Sequence, residues 1–385
     1  MEKLPKKLKD KLEARAANLA LRKLPKKEAV VDFSSNDYLG LASNEEVAAM
    51  AIDFLKGISP INGATGSRLL SGNHGLYDKL EKFLADYHKA DAALVFNSGY
   101  DANVGFFSSV PQRGDIIFYD ELVHASIRDG IQMSHAKALK FAHNNLDDLF
   151  KVIERNRNRD GKSEMYVVTE SVFSMDGDSP DLKSMAALCR DFSSYLVVDE
   201  AHATGIFGCG RDKISELGLE EQVFARLITF GKAIGCHGAA ILGSESLKQY
   251  LINFARSFIY TTALPPHTVA SVLGSYSYLQ ENDNALSSQL FGNIDFFKKE
   301  TQRLQISEHF VVSDSAIQCA IVPGNEHVKA IANKLKNTGF DVKPILSPTV
   351  HEGQERLRFC LHVFNEKEDI SQVLTLLKDN LQSRL

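Results

Sequence analysis

Short apolar runs alternate along the first two thirds of the chain with stretches whose apolar residues recur at helical spacing. Because polar turn residues bound these runs, each run has the pattern of a short buried strand. They predict strands at Ala93–Phe96, Ile116–Tyr119, Met165–Thr169, Tyr195–Val198, Leu227–Phe230 and Ala239–Leu242. Between most of them, helices are predicted, such as Leu76–His88, Leu146–Arg155 and Leu182–Asp191. This alternation predicts an α/β fold with a mostly parallel central sheet covered by helices.

The pattern changes after about Pro266, where a long helical region, His267–Leu304, precedes shorter elements. Strands are predicted at Phe310–Val312, Ile317–Val322, Val342–Ile345 and Leu357–Leu361, and helices at Glu326–Asn337 and Lys367–Leu381. A chain of 385 residues is long enough for about two domains. We therefore expect a large domain over 46–266 and a small α+β domain over 267–385, with segment 1–45 packing with the small domain.

The N-terminal segment is basic and amphipathic. Leu4, Leu8, Leu12, Ala16 and Leu19 fall on one face of a predicted helix. The basic residues are Lys3, Lys6, Lys7, Lys9, Lys11, Arg15, Arg22, Lys23, Lys26 and Lys27. The more common interpretation of such a pattern is an apolar face packed on the protein with its charges solvated. The alternative is a docking face for an acidic partner, such as an acyl carrier protein.

Composition narrows the class of protein. A net charge of -5 and a pI near 6.2 disfavour nucleic acid as a partner. No stretch approaches the roughly 20 apolar residues that a membrane span needs. The five cysteines are scattered, without the spacing of a zinc site or a disulfide framework. These features predict a cytoplasmic enzyme with reduced thiols and no metal site.

Two polar residues follow predicted strands at the ends where α/β sheets bind ligands. The strand Tyr195–Val198 leads into Asp199, and Lys232 follows the strand Leu227–Phe230. A Lys can hold the aldehyde of pyridoxal phosphate as a Schiff base, and an Asp can keep the pyridine nitrogen protonated. Neither residue is decisive alone, because a strand-ending Asp is often a helix cap and a lone Lys is usually a surface charge.

Asp199-Glu200-Ala201-His202 also has the pattern of the DEAH-type nucleotide motors. That interpretation needs a Gly-rich phosphate loop ending in Gly-Lys-Ser/Thr. Gly161-Lys162-Ser163 lacks the earlier Gly, because Asn156 stands there, and Gly231-Lys232 is followed by Ala233. Both loops fail the requirement, so the sequence disfavours a motor.

Further motifs suit a phosphate-bearing aromatic cofactor. Ser98-Gly99-Tyr100 follows a strand and opens a predicted helix, where backbone N–H groups bind phosphate, although Ser98 is also an ordinary helix cap. His124 follows a strand and a turn, where its ring could stack on a flat cofactor, but a lone His more often has a structural role. Arg356 and Arg358 face one side of a strand and could clamp a carboxylate, unless both are solvated.

Together, the motifs resemble those of the α-oxoamine synthases, pyridoxal phosphate enzymes of fold type I. The resemblance runs from about Asp32 to Leu377. It is carried by Phe33–Leu41, Gly63–Gly72, Ser98–Tyr100, His124–Ser126, Val172–Asp178, Asp199–His202, Thr229–Lys232, Ile259–Pro266, Asp314–Gln318 and Pro348–Val350. Two positions depart from the family pattern, since Tyr77 replaces a usual His and His237 a usual small residue.

The resemblance implies roles for individual residues. Lys232 binds the cofactor and acts as acid and base, and Asp199 pairs with the pyridine nitrogen. His124 stacks on the ring, while Ser174 and His202 hydrogen-bond near its hydroxyl. The implied phosphate site is Ser98, Gly99, Tyr100 and Thr229, with Thr261 and Thr262 reaching it from a neighbouring subunit of a homodimer. For the substrates, the implied residues are Asn36 and Arg358 at the amino-acid carboxylate and Arg22 near the acyl group.

The implied reaction is a decarboxylative condensation of an amino acid with an acyl thioester. Phe173–Ser179 and Ser315–Gln318 favour the members that join L-alanine to a pimeloyl thioester in biotin biosynthesis. Family members that use glycine or serine with another acyl chain remain alternatives, and coenzyme A and an acyl carrier protein both remain possible thioester carriers. A non-catalytic family member is a third alternative, although such a protein would be expected to lack Lys232.

Overall fold

The computed structural model describes residues 4–22, 24, 29–56, 58, 62–157 and 163–382. The strands are β1 (Val31–Asp32), β2 (Ala92–Phe96), β3 (Ile116–Asp120), β4 (Lys137–Phe141), β5 (Met165–Glu170), β6 (Tyr195–Asp199), β7 (Ala225–Thr229), β8 (Ala239–Gly243), β9 (Ile317–Ile321), β10 (Phe340–Asp341), β11 (Lys343–Ile345) and β12 (Arg356–Cys360).

The helices are α1 (Lys6–Ala17), α2 (Glu45–Leu55), α3 (Gly75–Tyr87), α4 (Gly99–Ser109), α5 (Ala125–Met133), α6 (Leu146–Asn156), α7 (Leu182–Asp191), α8 (Phe207–Gly210), α9 (Lys213–Leu217), α10 (Glu245–Phe254), α11 (Arg256–Ile259), α12 (Pro266–Arg303), α13 (Asn325–Asn337) and α14 (Lys367–Gln382). Helix α8 is not regular, because Gly208 and Cys209 inside it have left-handed dihedral angles.

The residues cluster into two compact units. The large unit comprises Leu39–Ser174 and Ser179–Ser288, and the small unit comprises Met1–Tyr38, Met175–Asp178 and Gln289–Leu385. The division predicted from the sequence, at residues 45 and 266, stays a prediction.

A seven-stranded sheet forms the centre of the large unit, with the strand order β2-β8-β7-β6-β5-β3-β4. Strand β8 is antiparallel to both of its neighbours, and the other pairs are parallel. The prediction of a mostly parallel α/β sheet is therefore confirmed. Since β5, β6 and β7 are parallel neighbours, their carboxyl ends lie side by side.

Helices cover both faces of this sheet. Alternate strand residues point to opposite faces, so the buried β5 residues Val167 and Val168 belong to two different apolar cores. One core packs residues of α4, α5, α10 and α11 against the sheet, and the other packs residues of α6, α7 and α9. Burial on both faces explains why the central strands are apolar throughout.

Strand β4 was missed from the sequence, as were the two-residue strands β1 and β10. Strand β4 is paired only with β3, at the edge of the sheet, and most of its residues are exposed. Lysines at its exposed positions are typical of edge strands, which avoid pairing with other chains. Because the same lysines interrupt the apolar residues of β4, the strand lacks the continuous apolar run by which the other strands of this sheet were predicted.

The small unit contains a three-stranded antiparallel sheet with the order β11-β12-β9 and a parallel pair of β1 with β10. The strand predicted at Phe310–Val312 is wrong, because that stretch forms only an isolated bridge between Phe310 and Ala320. Strand β12 lies in the middle of its sheet, and all five of its residues are buried.

The segment Met175–Asp178 belongs to the small unit although its neighbours in sequence belong to the large one. Arg356 forms an ion pair with Asp176. The hydroxyls of Ser313 and Ser315 both donate to the Gly177 carbonyl oxygen, at 2.8 and 2.9 Å. Gly177 has a φ of +77°, and a Cβ atom there would lie 2.2 Å from the Ile317 carbonyl oxygen. Only glycine fits this close approach.

Helix α1 does not bury its apolar face. No residue of the helix is buried, and the side chains of Leu8 and Leu12 are 47% and 49% exposed. The end of the helix is held by polar contacts instead, since Asn325 and Lys329 donate to the carbonyl oxygens of Asn18 and Leu19. The more common interpretation of this segment, an apolar face packed on the protein, is therefore wrong for the described residues. None of the helices described is long and apolar enough to cross a membrane.

Candidate active site

Asp199 and Lys232 follow two adjacent parallel strands. Asp199 is the last residue of β6, and Lys232 lies three residues beyond the end of β7. The turn after Lys232 is tight, because the amide of Gly235 donates to the Lys232 carbonyl oxygen at 2.8 Å. Gly235 has a φ of +67°, and a Cβ atom there would lie 2.3 Å from the Ala42 backbone nitrogen. This packing fixes the loop that carries Lys232.

Hydrogen bonds hold the Asp199 carboxylate in place. Its Oδ1 atom accepts from the backbone N–H of Ala201 at 2.9 Å, and its Oδ2 atom accepts from the side-chain amide of Asn103 at 2.8 Å. The residue is 7% exposed. Donors aimed at both oxygens hold the carboxyl group in one orientation.

His124 caps helix α5 and lies near both charged residues. Its Nδ1 atom accepts from the Ser126 backbone N–H at 3.2 Å and contacts the Ser126 hydroxyl at 2.8 Å. Burial of its ring nitrogens lowers the pKa of the imidazole; the negative charge of Asp199 opposes the shift, and the positive charge of Lys232 adds to it. The ring is therefore neutral near pH 7.

Glu170 ends strand β5 directly beside Asp199. It is 3% exposed, and its Oε1 atom accepts from the His124 backbone N–H at 2.6 Å. Burial first, and then the nearby Asp199 carboxylate, raise the pKa of Glu170 to about 8. Glu170 therefore keeps its proton near pH 7, next to the hydrogen-bonded carboxyl group of Asp199.

The N-terminus of helix α4 lies beside the end of β7. Ser98 caps the helix, because its hydroxyl oxygen accepts from the Asp101 N–H at 3.0 Å, and Gly99 and Tyr100 begin it. A Cβ atom on Gly99 would lie 3.6 Å from the Thr229 hydroxyl oxygen. The first N–H groups of a helix lack partners within that helix, so this corner has the donors that a phosphate needs.

Thr261 and Thr262 lie beside the same corner in the same chain. The side-chain amide of Asn97 donates to the Thr261 hydroxyl at 2.9 Å and to the Thr262 carbonyl oxygen at 2.6 Å. Tyr77 is almost fully buried and anchors this segment through Leu264, whose N–H donates to the Tyr77 hydroxyl at 2.8 Å. Tyr77, which stands where the family usually has a His, therefore packs in the core and holds the segment around Leu264 in place.

A second polar network begins at the residue after Asp199. The Glu200 carboxylate accepts from the Ser171 hydroxyl and from the Ile214 N–H, the latter at 2.8 Å. Asp212 lies close by and accepts from His88 at 2.8 Å and from Arg226 at 2.9 Å. We refer to Glu200, Ser171, Asp212, His88 and Arg226 as the closed network, because all five side chains are buried.

Charges within the closed network are unequal. Burial opposes the ionisation of Asp212, but the hydrogen bond from His88 and the charge of Arg226 hold the pKa of its carboxyl below the usual range. Burial, and then the charge of Asp212, raise the pKa of Glu200 to about 8. Glu200 therefore keeps its proton near pH 7 while Asp212 is ionised.

Other predicted residues lie at varied exposure. His202 is 5% exposed, Ser174 is half-buried at the end of the loop after β5, and His237 is exposed. Arg22 is exposed in the small unit, and its predicted contact with an acyl group stays a prediction. The alternative loop at Gly161-Lys162 lies outside the described residues.

Within the small unit, Asn36 and Arg358 are in contact. The Arg358 Nη2 atom donates to the Asn36 Oδ1 atom at 3.0 Å, and the Tyr38 hydroxyl donates to the same oxygen at 3.1 Å. Arg358 Nη1 contacts the Cys360 sulfur at 2.9 Å. Arg356 and Arg358 are each 6% exposed, so the interpretation of these residues as solvated charges is wrong.

Sequence reasoning missed Asn103 and Glu170. Asn103 lies in the second turn of α4, and no local pattern indicates that it reaches Asp199, 96 residues later in the chain. Glu170 is the residue after the predicted end of its strand and resembles an ordinary polar boundary. Among the described residues, no cluster of His, Cys, Asp and Glu is arranged to hold a metal ion.

Sequence comparisons identify relatives along most of the chain. The profile of the aminotransferase class I and II family matches residues 28–374. The chain is 38% identical to an 8-amino-7-oxononanoate synthase of Emericella nidulans, over 97% of this chain and 95% of that protein. It is 37% identical to the enzyme of the same name from Geotalea daltonii, over 90% and 88% of the two chains.

Solved structures agree with these relatives. Serine palmitoyltransferase of Sphingomonas wittichii matches with a TM-score of 0.89 and 26% identity, covering 98% of both chains. An 8-amino-7-oxononanoate synthase from Francisella tularensis matches with a TM-score of 0.77 and 29% identity, covering 93% of this chain and 99% of that chain. The nucleotide-motor interpretation is therefore wrong, and fold type I is confirmed.

Proposed function

The chain belongs to the aminotransferase class I and II family, and we propose that it joins L-alanine to a pimeloyl thioester, with loss of carbon dioxide, to give 8-amino-7-oxononanoate for biotin. Its cofactor is pyridoxal phosphate. The observation that carries the proposal is the position of Asp199 and Lys232 after two adjacent strands, with His124 near both, in a chain whose relatives at 35–38% identity bear this enzyme's name. The absence of paired cysteines among its five free thiols suits the cytoplasm.

The residues of the large unit fit the cofactor by their chemistry. Bound pyridoxal phosphate supplies an electron sink for the carbon that loses its proton. Asp199 would keep the proton on the ring nitrogen, His124 would cover one face of the ring, and Ser174 and His202 would hydrogen-bond near its hydroxyl. The phosphate binds at the N-terminus of α4. The residues there are Ser98, Gly99, Tyr100 and Thr229, joined by Thr261 and Thr262.

Lys232 has two tasks in this proposal. Its Nζ atom would hold the cofactor, and the same amine would take the α-proton of the amino acid and later return a proton to that carbon. Proton transfer in both directions requires an amine that titrates near neutral pH. Lys232 is half-exposed, and its charge acts on both His124 and Glu170.

The small unit supplies the proposed alanine carboxylate site. Arg358 can clamp a carboxylate with two parallel hydrogen bonds, and Asn36 adds a side-chain amide beside it. Arg358→Ala should weaken alanine binding by about 2–5 kcal/mol, because it leaves a buried carboxylate without its partner. Arg356→Lys is the control, since Arg356 lies on the same strand face but is paired with Asp176. An unchanged alanine affinity in Arg358→Ala, read from the cofactor absorbance, would remove Arg358 from the site.

A direct test combines the cofactor and the substrates. The purified protein should be yellow, and borohydride should fix the cofactor to the peptide that contains Lys232. L-alanine should then perturb the absorbance and give product with a pimeloyl thioester. A colourless protein that pyridoxal phosphate does not reconstitute, or labelling of another peptide, contradicts the cofactor site.

A second candidate is a serine-dependent synthase. It is favoured by the TM-score of 0.89 with serine palmitoyltransferase, which exceeds the 0.77 with the Francisella enzyme. Both scores describe the backbone, whereas substrate choice depends on side chains. Turnover with serine and a palmitoyl thioester, without turnover with alanine and a pimeloyl thioester, would decide for this candidate.

The basic helix α1 gives a reason to test both thioester carriers. Its exposed lysines and leucines suit an acidic carrier protein better than they suit coenzyme A. The double variant Lys7→Glu/Lys11→Glu should lower kcat/KM for pimeloyl carrier protein and leave that for pimeloyl coenzyme A unchanged. Equal effects on both substrates would remove the helix from carrier recognition.

We further propose a homodimer in which Thr261 and Thr262 serve the phosphate site of the neighbouring subunit. Lys232→Ala chains can be mixed and refolded with chains that carry Thr261→Ala and Thr262→Ala. Shared sites would give mixed dimers one intact site and more activity than either variant alone. The hydrogen bonds from Asn97 allow the opposite outcome, in which the threonines serve their own chain and mixing restores nothing. The test requires that the threonine variant alone is clearly impaired.

A further inference from the structure

Asp199 and His124 are joined by a chain of hydrogen bonds that passes through Asn103 and Ser126. The Asn103 Nδ2 atom donates to Asp199 Oδ2 at 2.8 Å and to the Ser126 hydroxyl oxygen at 3.0 Å. That hydroxyl lies 2.8 Å from Nδ1 of His124. Asn103 and Ser126 are 3% and 1% exposed, so water does not compete for these bonds.

Chemistry fixes the orientation of the Asn103 amide. The NH2 group has two hydrogens, and the two contacts use both of them. The opposite orientation would set the amide oxygen against the Asp199 carboxylate, which has only acceptors. Asn103 thus gives both of its donors to the link.

The same link determines where His124 carries its hydrogen. Because the Ser126 backbone N–H donates to Nδ1, this nitrogen must be an acceptor, and the hydrogen of the neutral ring lies on Nε2. The Ser126 hydroxyl accepts from Asn103 and is thereby left to donate to the same Nδ1 atom. Every donor in the link then has an acceptor.

Glu170 lies next to both ends of the link. It neighbours Asp199 in the strand register and accepts from the His124 backbone N–H at 2.6 Å. Four elements therefore meet around the link, namely β5, β6, α4 and the start of α5. The charged groups that act on it are Asp199 itself, Lys232, Arg128 and Asp129 around His124, and Asp120 near Glu170.

We propose that Asn103 is a positioning residue which holds the Asp199 carboxylate and the His124 imidazole in one rigid unit, so that the ring nitrogen and one ring face of the cofactor are bound together. The proposal rests on the proposed function, because it assigns Asp199 and His124 to the cofactor. It adds that the two contacts are coupled, and that neither keeps its geometry when Asn103 is changed.

The test uses the holoenzyme and three variants, Asn103→Ala, Asn103→Asp and Ser126→Ala. Asn103→Ala removes a hydrogen bond to a charged group, so cofactor affinity should fall about ten- to hundredfold. The visible circular dichroism of the bound cofactor should change as well, because it reports the orientation of the ring. Asn103→Asp should bind more weakly still, since it sets a second carboxylate against Asp199.

Ser126→Ala breaks the link on the His124 side and leaves the contact with Asp199. It should alter the circular dichroism while costing less cofactor affinity than Asn103→Ala. In Asn103→Ala/Ser126→Ala the two losses should not add, because either change alone already opens the link. Ser171→Ala is the matched control: Ser171 is equally buried but belongs to the closed network, and its change should leave affinity and dichroism as in the wild type.

Several results would overturn the proposal. One is wild-type affinity and dichroism in Asn103→Ala, and another is strict additivity in the double variant. A third is the same spectral change in Ser171→Ala, which would indicate a general loss of packing. If Asn103→Ala does not fold, the comparison of Ser126→Ala with Ser171→Ala still tests the proposal.

These measurements need cofactor binding but no turnover. A wild type that binds pyridoxal phosphate without using alanine would therefore contradict the proposed reaction and leave this test intact.

Discussion

Asp199 and Glu200 are consecutive residues, yet their side chains enter two different polar networks. Asp199 is bound by Asn103 and by the backbone of Ala201, next to His124 and Lys232. Glu200 is bound by Ser171 and the start of α9, next to Asp212. The alternation of side chains at a strand end is enough to separate them.

The two networks differ in their access to solvent. Glu200, Ser171, Asp212 and His88 are 0% exposed, whereas His124 is exposed and Lys232 is half-buried. In the closed network, carboxyl groups are matched by buried donors of the protein, as expected for a network that stabilises the fold. The link from Asp199 to His124 reaches the surface, as a site for a ligand must. Burial of a carboxyl group alone therefore does not distinguish a structural network from a ligand site. The exposure of the residues that contact it does.

The largest expected effect is on stability, from Asp212→Ala. This change leaves Arg226 buried without its carboxylate, which typically costs about 3–5 kcal/mol. Asp181→Ala is the matched control, because both residues cap a helix through the N–H three residues later, but Asp181 is exposed. Loss of the cap alone costs about 0.5–2 kcal/mol. Equal losses in chemical unfolding would contradict the special role of the closed network.

Asp199→Asn should affect catalysis more than stability. The asparagine oxygen can accept from Asn103 or from the Ala201 N–H but not from both, so stability should fall by about 1–3 kcal/mol, and the negative charge that would keep the ring nitrogen protonated is lost. We expect turnover to fall about 10²- to 10³-fold, in line with the loss of one electrostatic contact in an active site. Unfolding should be measured without cofactor, so that linked binding does not contribute. Turnover close to that of the wild type would remove Asp199 from the reaction.

Glu200→Gln is the matching change on the neighbouring residue, and we expect its effect to depend on pH. With a pKa of about 8 in the folded protein and near 4.5 when unfolded, Glu200 keeps a proton in the folded state that the unfolded chain releases. Its contribution to stability therefore declines as the pH rises from about 4.5 to 8. The glutamine variant cannot ionise, so its stability relative to the wild type should rise over this range and then level off. A difference that is constant between pH 5 and pH 9 would contradict the protonated state.

The sequence predicted the parts of the site that depend on local order along a strand. Asp199 and Lys232 were expected at strand ends, and Arg356 and Arg358 on one strand face, because strand geometry fixes these positions. Asn103 and Glu170 were missed because their importance arises from contacts across the fold. Asn103 joins residues that are 23 and 96 positions away.

Helix α1 was misjudged for a different reason. Leucines at helical spacing indicate an apolar face, but the spacing does not state what covers that face. The same pattern fits a helix packed on its own chain and a helix exposed for a partner. Only the exposure of Leu8 and Leu12 distinguishes the two.

The route of the chain through the small unit has a consequence for synthesis on the ribosome. Strand β1 pairs with β10, so Val31 meets Phe340, and Met175–Asp178 is bound by Ser313, Ser315 and Arg356. Strand β1 cannot pair until the chain has emerged beyond Asp341, and Met175–Asp178 cannot meet all of its partners until the chain has emerged beyond Arg356. The large unit, whose last residue is Ser288, is complete well before that point. The nascent protein must therefore carry its N-terminal segment unpaired through most of translation, and premature termination after Ser288 would leave that segment permanently without its sheet.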